Sequence, residues 1–189
     1  ASIGALGTLT ASVTTDTTGS GLAGVITWNY SVAASAVEYL AAGQTKVDLF
    51  SIPLPPGTGP SVALLLSATL TRSNDTPIVD TTDVTGAVSE LVSPAGNLTD
   101  SGTIAFSDVD LTDVHSINGA ITASIGALGS LTASVTTDTT GTGLGGVVTW
   151  NYSVAASDVE YLAAGQTKLE TFSITLNDGN GGTVDRLIS

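Results

Sequence analysis

Ile26, Trp28, Tyr30 and Val32 alternate with Thr27, Asn29 and Ser31. That is the period of two of a half-buried β-strand, apolar on one face and solvated on the other. Leu9, Ala11 and Val13 alternate with Thr and Ser in the same way, and the Thr- and Gly-rich stretch 14–24 reads as the turn joining the two strands. Phe172, Ile174 and Leu176 alternate with Ser173 and Thr175, then run into Asn177, Asp178, Gly179 and Asn180. This is a hairpin signal, because Gly and Asn supply the positive φ of tight turns. Residues 35–43 read as a corner between strands, holding at most one helical turn. Strands recurring every ~8–12 residues with turn chemistry between them predict an all-β sandwich. The alternation assigns Trp28 and Trp150 to the apolar core, with a sugar-stacking platform as the alternative.

The pattern is written twice. The heptad that opens at Ala1 recurs at Ala123, an offset of 122 residues, and the match runs without a gap to Ser189. A period of that length is a whole domain, not a solenoid turn. Residues 1–74 are therefore expected to be the C-terminal part of one sandwich repeat. Residues 75–189 are expected to be the next repeat lacking its last strand, because the chain stops before the stretch equivalent to 68–75. Pro53, Pro55 and Pro56 stand where the second copy has Thr175, Asn177 and Asp178. The turn is thus buildable without Asp178, so Asn177 and Asp178 read as turn residues ahead of metal ligands, and the prolines predict a loosened edge in the first copy.

Composition narrows the function classes. Hydrophobic residues make up 42% of the chain and the mean hydropathy is +0.37, enough for one large or two small packed domains. Seventeen acids against four Lys and Arg give a net charge of -13, which argues against a nucleic-acid or anionic-membrane surface. No apolar run is long enough to cross a membrane, the longest stretch being 61–70. With no Cys and a single His, thiol nucleophiles, disulfides, iron-sulfur clusters and Cys-type zinc sites are excluded, leaving hard cations on oxygen ligands. The chain shows neither an initiator Met nor a leader pattern and reads as a segment of something longer.

The densest acidic cluster is Asp108, Asp110 and Asp113, in a loop after a strand at 103–106. Asp108 and Asp110 point the same way if the segment is extended, and Asp113 can fold back toward them. Such converging oxygens suit Ca²⁺, which takes six to eight of them; the alternative is solvated loop carboxylates. The spacing is not that of an EF-hand. His115 reads as a polar strand end. Asp108 and Asp110 imitate a catalytic pair, but a two-layer sandwich with Ala-rich faces implies no pocket, so the expectation is no enzyme.

Four motifs in order resemble the VCBS repeat of large bacterial adhesins: residues 73–77 (Ser-Asn-Asp-Thr-Pro), 102–113, the Val-Glu-Tyr-Leu-Ala-Ala-Gly-Gln-Thr-Lys blocks at 37–46 and 159–168, and 175–184. The resemblance covers essentially the whole chain. It implies tandem immunoglobulin/cadherin-like β-sandwich repeats, export by type I secretion, an extracellular or cell-surface location, and a role in attachment or biofilm cohesion. It also implies calcium at Asn74, Asp75, Asp108 and Asp110, with Glu38 as an outlying ligand. The partners it implies are neighbouring repeats, with a host surface, matrix or glycan engaged through other domains. The first copy departs from the pattern at 53–60. Two other readings stand beside it: a filament subunit completed by strand addition between copies, and a carbohydrate-binding module using Tyr39 and Tyr161.

Overall fold

The computed structural model describes residues 4–19, 21, 24–54, 62–92 and 95–189. The fold is all-β, with several antiparallel sheets and no α-helix among the described residues. The chain divides into two compact units, Ala1–Ser73 and Asn74–Ser189.

In the first unit β1 (Thr8–Thr15) pairs antiparallel with β2 (Val25–Ser31), Leu9 opposite Tyr30 and Ala11 opposite Trp28. The corner is a single 3-10 turn, Ala34–Ala36. Next, β3 (Thr45–Leu54) pairs antiparallel with β4 (Val62–Thr71). The register holds through Pro53 opposite Ala63 to Leu54 opposite Val62, so the expected loosening is not found at Pro53. Pro55 and Pro56 lie outside the described residues. Phe50 is buried and meets the Tyr30 ring edge-on at 5.8 Å.

One expectation fails here. Trp28 is 49% exposed, whereas its copy Trp150 is 1% exposed. Gly102 and Gly86 pass close to the Trp150 ring, and its indole N–H donates to the Asp83 carbonyl at 2.6 Å. Trp28 thus shares the alternation of Trp150 but is not covered as Trp150 is among the described residues.

In the second unit β5 (Ile78–Thr82), β6 (Asn97–Ser107), β9 (Ser130–Thr137) and β10 (Gly146–Ala155) form one sheet in the order β5-β6-β10-β9. The short strands β7 (Ser116–Ile117) and β8 (Thr122–Ala123) both pair with β11 (Phe172–Asn177), whose other edge carries β12 (Thr183–Ile188). Alternate side chains of the two sheets meet in one core: Ile104, Phe106, Val148 and Trp150 from the first, Phe172, Ile174, Leu176 and Ile188 from the second. This arrangement is consistent with a β-sandwich. Gly102, opposite Trp150 in the ladder, leaves room for the indole, since a Cβ there would lie 2.6 Å from the ring.

Both units contain a matching carboxylate box. In the first, Asp48 Oδ2 accepts the N–H groups of Leu6 and Gly7 at 2.9 Å and the Tyr30 hydroxyl at 2.8 Å. In the second, Glu170 accepts Leu128 N–H at 2.7 Å, Gly129 N–H at 3.1 Å and the Tyr152 hydroxyl at 3.0 Å.

Candidate metal centre

Three loops at one end of the second unit converge on acids: 108–115 between β6 and β7, 138–145 between β9 and β10, and the β11–β12 hairpin. The hairpin closes by a backbone bond from Asp178 N to Gly182 O. Asp178 Oδ1 accepts the N–H groups of Asn180 at 2.8 Å and Gly182 at 2.9 Å. The turn role read from the sequence is thus met. Asp178 also does a second thing, because its carboxylate is fully buried and faces Asp108 and Asp113, with one oxygen of each of the three within 4.8 Å of the others. Gly182 is needed for this, since a Cβ there would overlap Asp178 Oδ2.

The loop 108–113 is held by its backbone. Asp110 N donates to Asp108 Oδ1 at 2.9 Å, Asp113 N donates to Asp110 O at 3.1 Å, and Asp108 N donates to Gly143 O at 3.0 Å. Thr140 Oγ1 adds a bond to Asp113 O at 2.6 Å. The first residues of the unit are tied to the same end. Asn74 Nδ2 donates to Asp178 Oδ2 at 2.7 Å, and Asp75 N donates to Asp110 Oδ2 at 2.6 Å.

Three buried carboxylates at this spacing repel one another in a medium that screens poorly. Burial pushes the Asp113 carboxyl above the ordinary carboxylate value; the Asn180 amide opposes this, while Asp110, Asp108 and Asp178 add to it. Asp113 Oδ1 accepts that amide at 2.7 Å, but Asp113 Oδ2 is buried with no hydrogen-bond partner. A cation would satisfy a buried oxygen left without a partner among three carboxylates. The donors are all oxygen, which suits Ca²⁺ or Mg²⁺ and not a thiophilic metal.

Of the residues singled out in the sequence, Asp108 and Asp113 lie in this centre. Asp110 is buried beside it, and its carboxylate comes within 4.8 Å of that of Asp75. Asn74 contributes through Asp178, and its Oδ1 is also buried without a partner. Glu38 belongs to the first unit, where its Oε2 lies 2.5 Å from Arg72 Nη2. Tyr39 and Tyr161 are exposed.

Asp178 serves the turn as expected, and its buried carboxylate also faces Asp108 and Asp113, which the comparison with Pro56 does not reveal. His115 stands immediately before β7, as expected of a strand end, but it is buried, with Nε2 3.0 Å from Asp108 Oδ2 and Nδ1 2.7 Å from Asp138 Oδ1. Its ring packs on Phe106 at 4.9 Å. Burial works against the charge on Asp138, but the N–H and ring of His115 and the Thr139 N–H outweigh it and hold that carboxyl below its ordinary value. A lone His at sequence distance from its partners gives no periodic signal.

No protein-family model, curated protein or solved structure matches the chain.

Proposed function

We propose that the chain is a structural extender segment of an extracellular bacterial adhesin. In this reading it consists of tandem immunoglobulin/cadherin-like sandwich repeats with no enzymatic role, and Ca²⁺ is the ligand of Asp108, Asp113 and Asp178. The domain-length repeat, the all-β fold and the VCBS-like motifs support the extender reading. The observation that carries the ion is Asp113 Oδ2, buried among carboxylates with no partner. Calcium is preferred over magnesium because irregular loop oxygens tolerate its larger, flexible shell, whereas magnesium demands a near-ideal octahedron.

The chain's own residues explain what the ion would do. Asn74 and Asp75 begin the second unit and are bonded to Asp178 and Asp110. A cation would relieve the repulsion among the acids that accept those bonds, so calcium stiffens the start of the repeat. Repeated along an array, this makes a string into a spacer that holds an adhesive domain away from the cell.

The test is thermal unfolding of the full chain in calcium, in magnesium and in chelator. With free calcium ~100-fold above Kd the folded state gains about 2.7 kcal/mol, a rise of roughly 10 °C for a unit of this size. Asp113→Asn and Asp178→Asn should abolish the difference. Equal midpoints in calcium and chelator would remove the ion from the reading.

A further inference from the structure

Among the side chains that meet the acidic centre, Asn180 is neutral, exposed and followed by a glycine. Its amide donates to Asp113 Oδ1 at 2.7 Å, and this donor opposes the rise of the Asp113 carboxyl. The hairpin around it is tied to Asp178, whose Oδ1 accepts the N–H groups of Asn180 and Gly182 at 2.8 and 2.9 Å. The Gly181 N–H between them makes no hydrogen bond among the described residues. Gly181 also holds φ at 110°, and nothing lies within 4 Å of the place a Cβ would take there. A nitrogen with no hydrogen bond and no flanking side chain, next in sequence to a side-chain amide, is an available intramolecular nucleophile.

We propose that Asn180-Gly181 is a self-modification site that adds a carboxylate to the three of Asp108, Asp113 and Asp178. Gly181 N attacks Asn180 Cγ; the N–Cγ bond forms, the Cγ–Nδ2 bond breaks, and the amide leaves as ammonia carrying the Gly181 proton. Water then opens the cyclic imide at either carbonyl, restoring an N–H and leaving aspartate or isoaspartate at position 180. No oxidant, reductant or enzyme enters; water is the co-reactant. The chemical change is small and the electrostatic one is not. Asp113 Oδ1 loses a donor and gains a like charge beside it, so the cluster without a cation becomes less stable. With a cation the added charge acts the other way, since ligand charge tunes the affinity of oxygen sites for calcium. The modification and its cost in chelator stand apart from the calcium reading, whereas the gain in affinity rests on it. The chain carries the same dipeptide at Asn118-Gly119, exposed and tied by its backbone to Thr175 O at 2.9 Å. Among the described residues the Asn118 side chain makes no hydrogen bond to the three acids, so position 118 is the internal control.

The test ages the 189-residue chain in mildly alkaline buffer and reads position 180 by peptide mass spectrometry. Asn180 should convert to a mixture of aspartate and isoaspartate with release of ammonia. Retention of its amide over the time in which a free peptide of residues 177–183 converts fully overturns the proposal. The encoded product, Asn180→Asp, should melt about 5 °C or more below the parent in chelator. It should also bind calcium about 10-fold more tightly by titration calorimetry. Asn180→Ala should share the loss in chelator without the gain for calcium, and Asn118→Asp should show neither. An Asn180→Asp chain that keeps the parent's midpoint in chelator, or binds calcium no more tightly than a parent that binds it, overturns the proposal. If the parent itself ignores calcium, the calcium reading falls, and the mass and the chelator midpoint still decide this one.

Discussion

Trp28 and Trp150 sit in copies of the same strand, opposite Ala11 and Ala133, yet one is half in water and the other is dry. Leu49 and Leu65 of the first unit are likewise exposed, while Phe50 and Phe172 are buried in both copies. The contrast separates two contributions to a core. Local alternation decides which face is apolar; only partner strands decide whether that face is covered. Phe50 is buried because a pair within its own unit, with Tyr30, is enough. Trp150 needs β6 and the 83–86 segment.

Substitutions can break this comparison. The largest effect is expected from Trp150→Ala, which should cost about 3–5 kcal/mol as a large buried aromatic, against less than about 1 kcal/mol for Trp28→Ala. Urea unfolding followed by circular dichroism checks it, and similar losses at both sites would show that the two environments are alike. Gly102→Ala should cost about 1–3 kcal/mol by driving a methyl into the Trp150 ring. Its stability should be rescued in part by a smaller aromatic at 150. His115→Gln tests the acidic centre: with calcium bound there as proposed, loss of the group orienting Asp108 should weaken it about 10-fold or more, read by titration calorimetry.

The carboxylate boxes give the smallest effect and a control, since both units have one. Burial alone would raise the Asp48 and Glu170 carboxyls, but two backbone N–H groups and a Tyr hydroxyl outweigh it and hold both below their ordinary values of 3.8 and 4.5. A depressed folded value means the stabilisation is present above the unfolded value and is lost as pH falls through the folded one. Glu170→Gln should therefore cost about 1 kcal/mol at pH 7, as a lost charged hydrogen bond. The gap to the parent should narrow as pH falls below 4.5 and through the lower folded value. A gap that does not change across that acid titration would mean the box works by shape and not by charge.

Much of the fold was legible because it is written in alternation. The strand pairs around Trp28, the β11–β12 hairpin and the 3-10 corner follow from periods of two and from Gly and Asn in turns. Trp28 itself misled, since alternation carries no record of which strands lie opposite. The centre was half legible: Asp108 and Asp113 are close in sequence, so their convergence needs only a loop. Asp178 lies 70 and 65 residues from Asp108 and Asp113, and His115 lies 7 and 23 residues from Asp108 and Asp138, separations that only the fold closes. Glu38 is expected from the resemblance as an outlying calcium ligand, and nothing local in the sequence shows that Arg72 pairs with it.

The unequal indoles have an optical consequence. Trp28 in water should emit at the red end of the tryptophan range and yield readily to an external quencher, whereas Trp150, sealed under Gly102 and bonded to Asp83 O, should emit further to the blue and resist it. With no other tryptophan in the sequence, each half of the molecule carries its own fluorophore, and the two can be followed separately in an unlabelled sample.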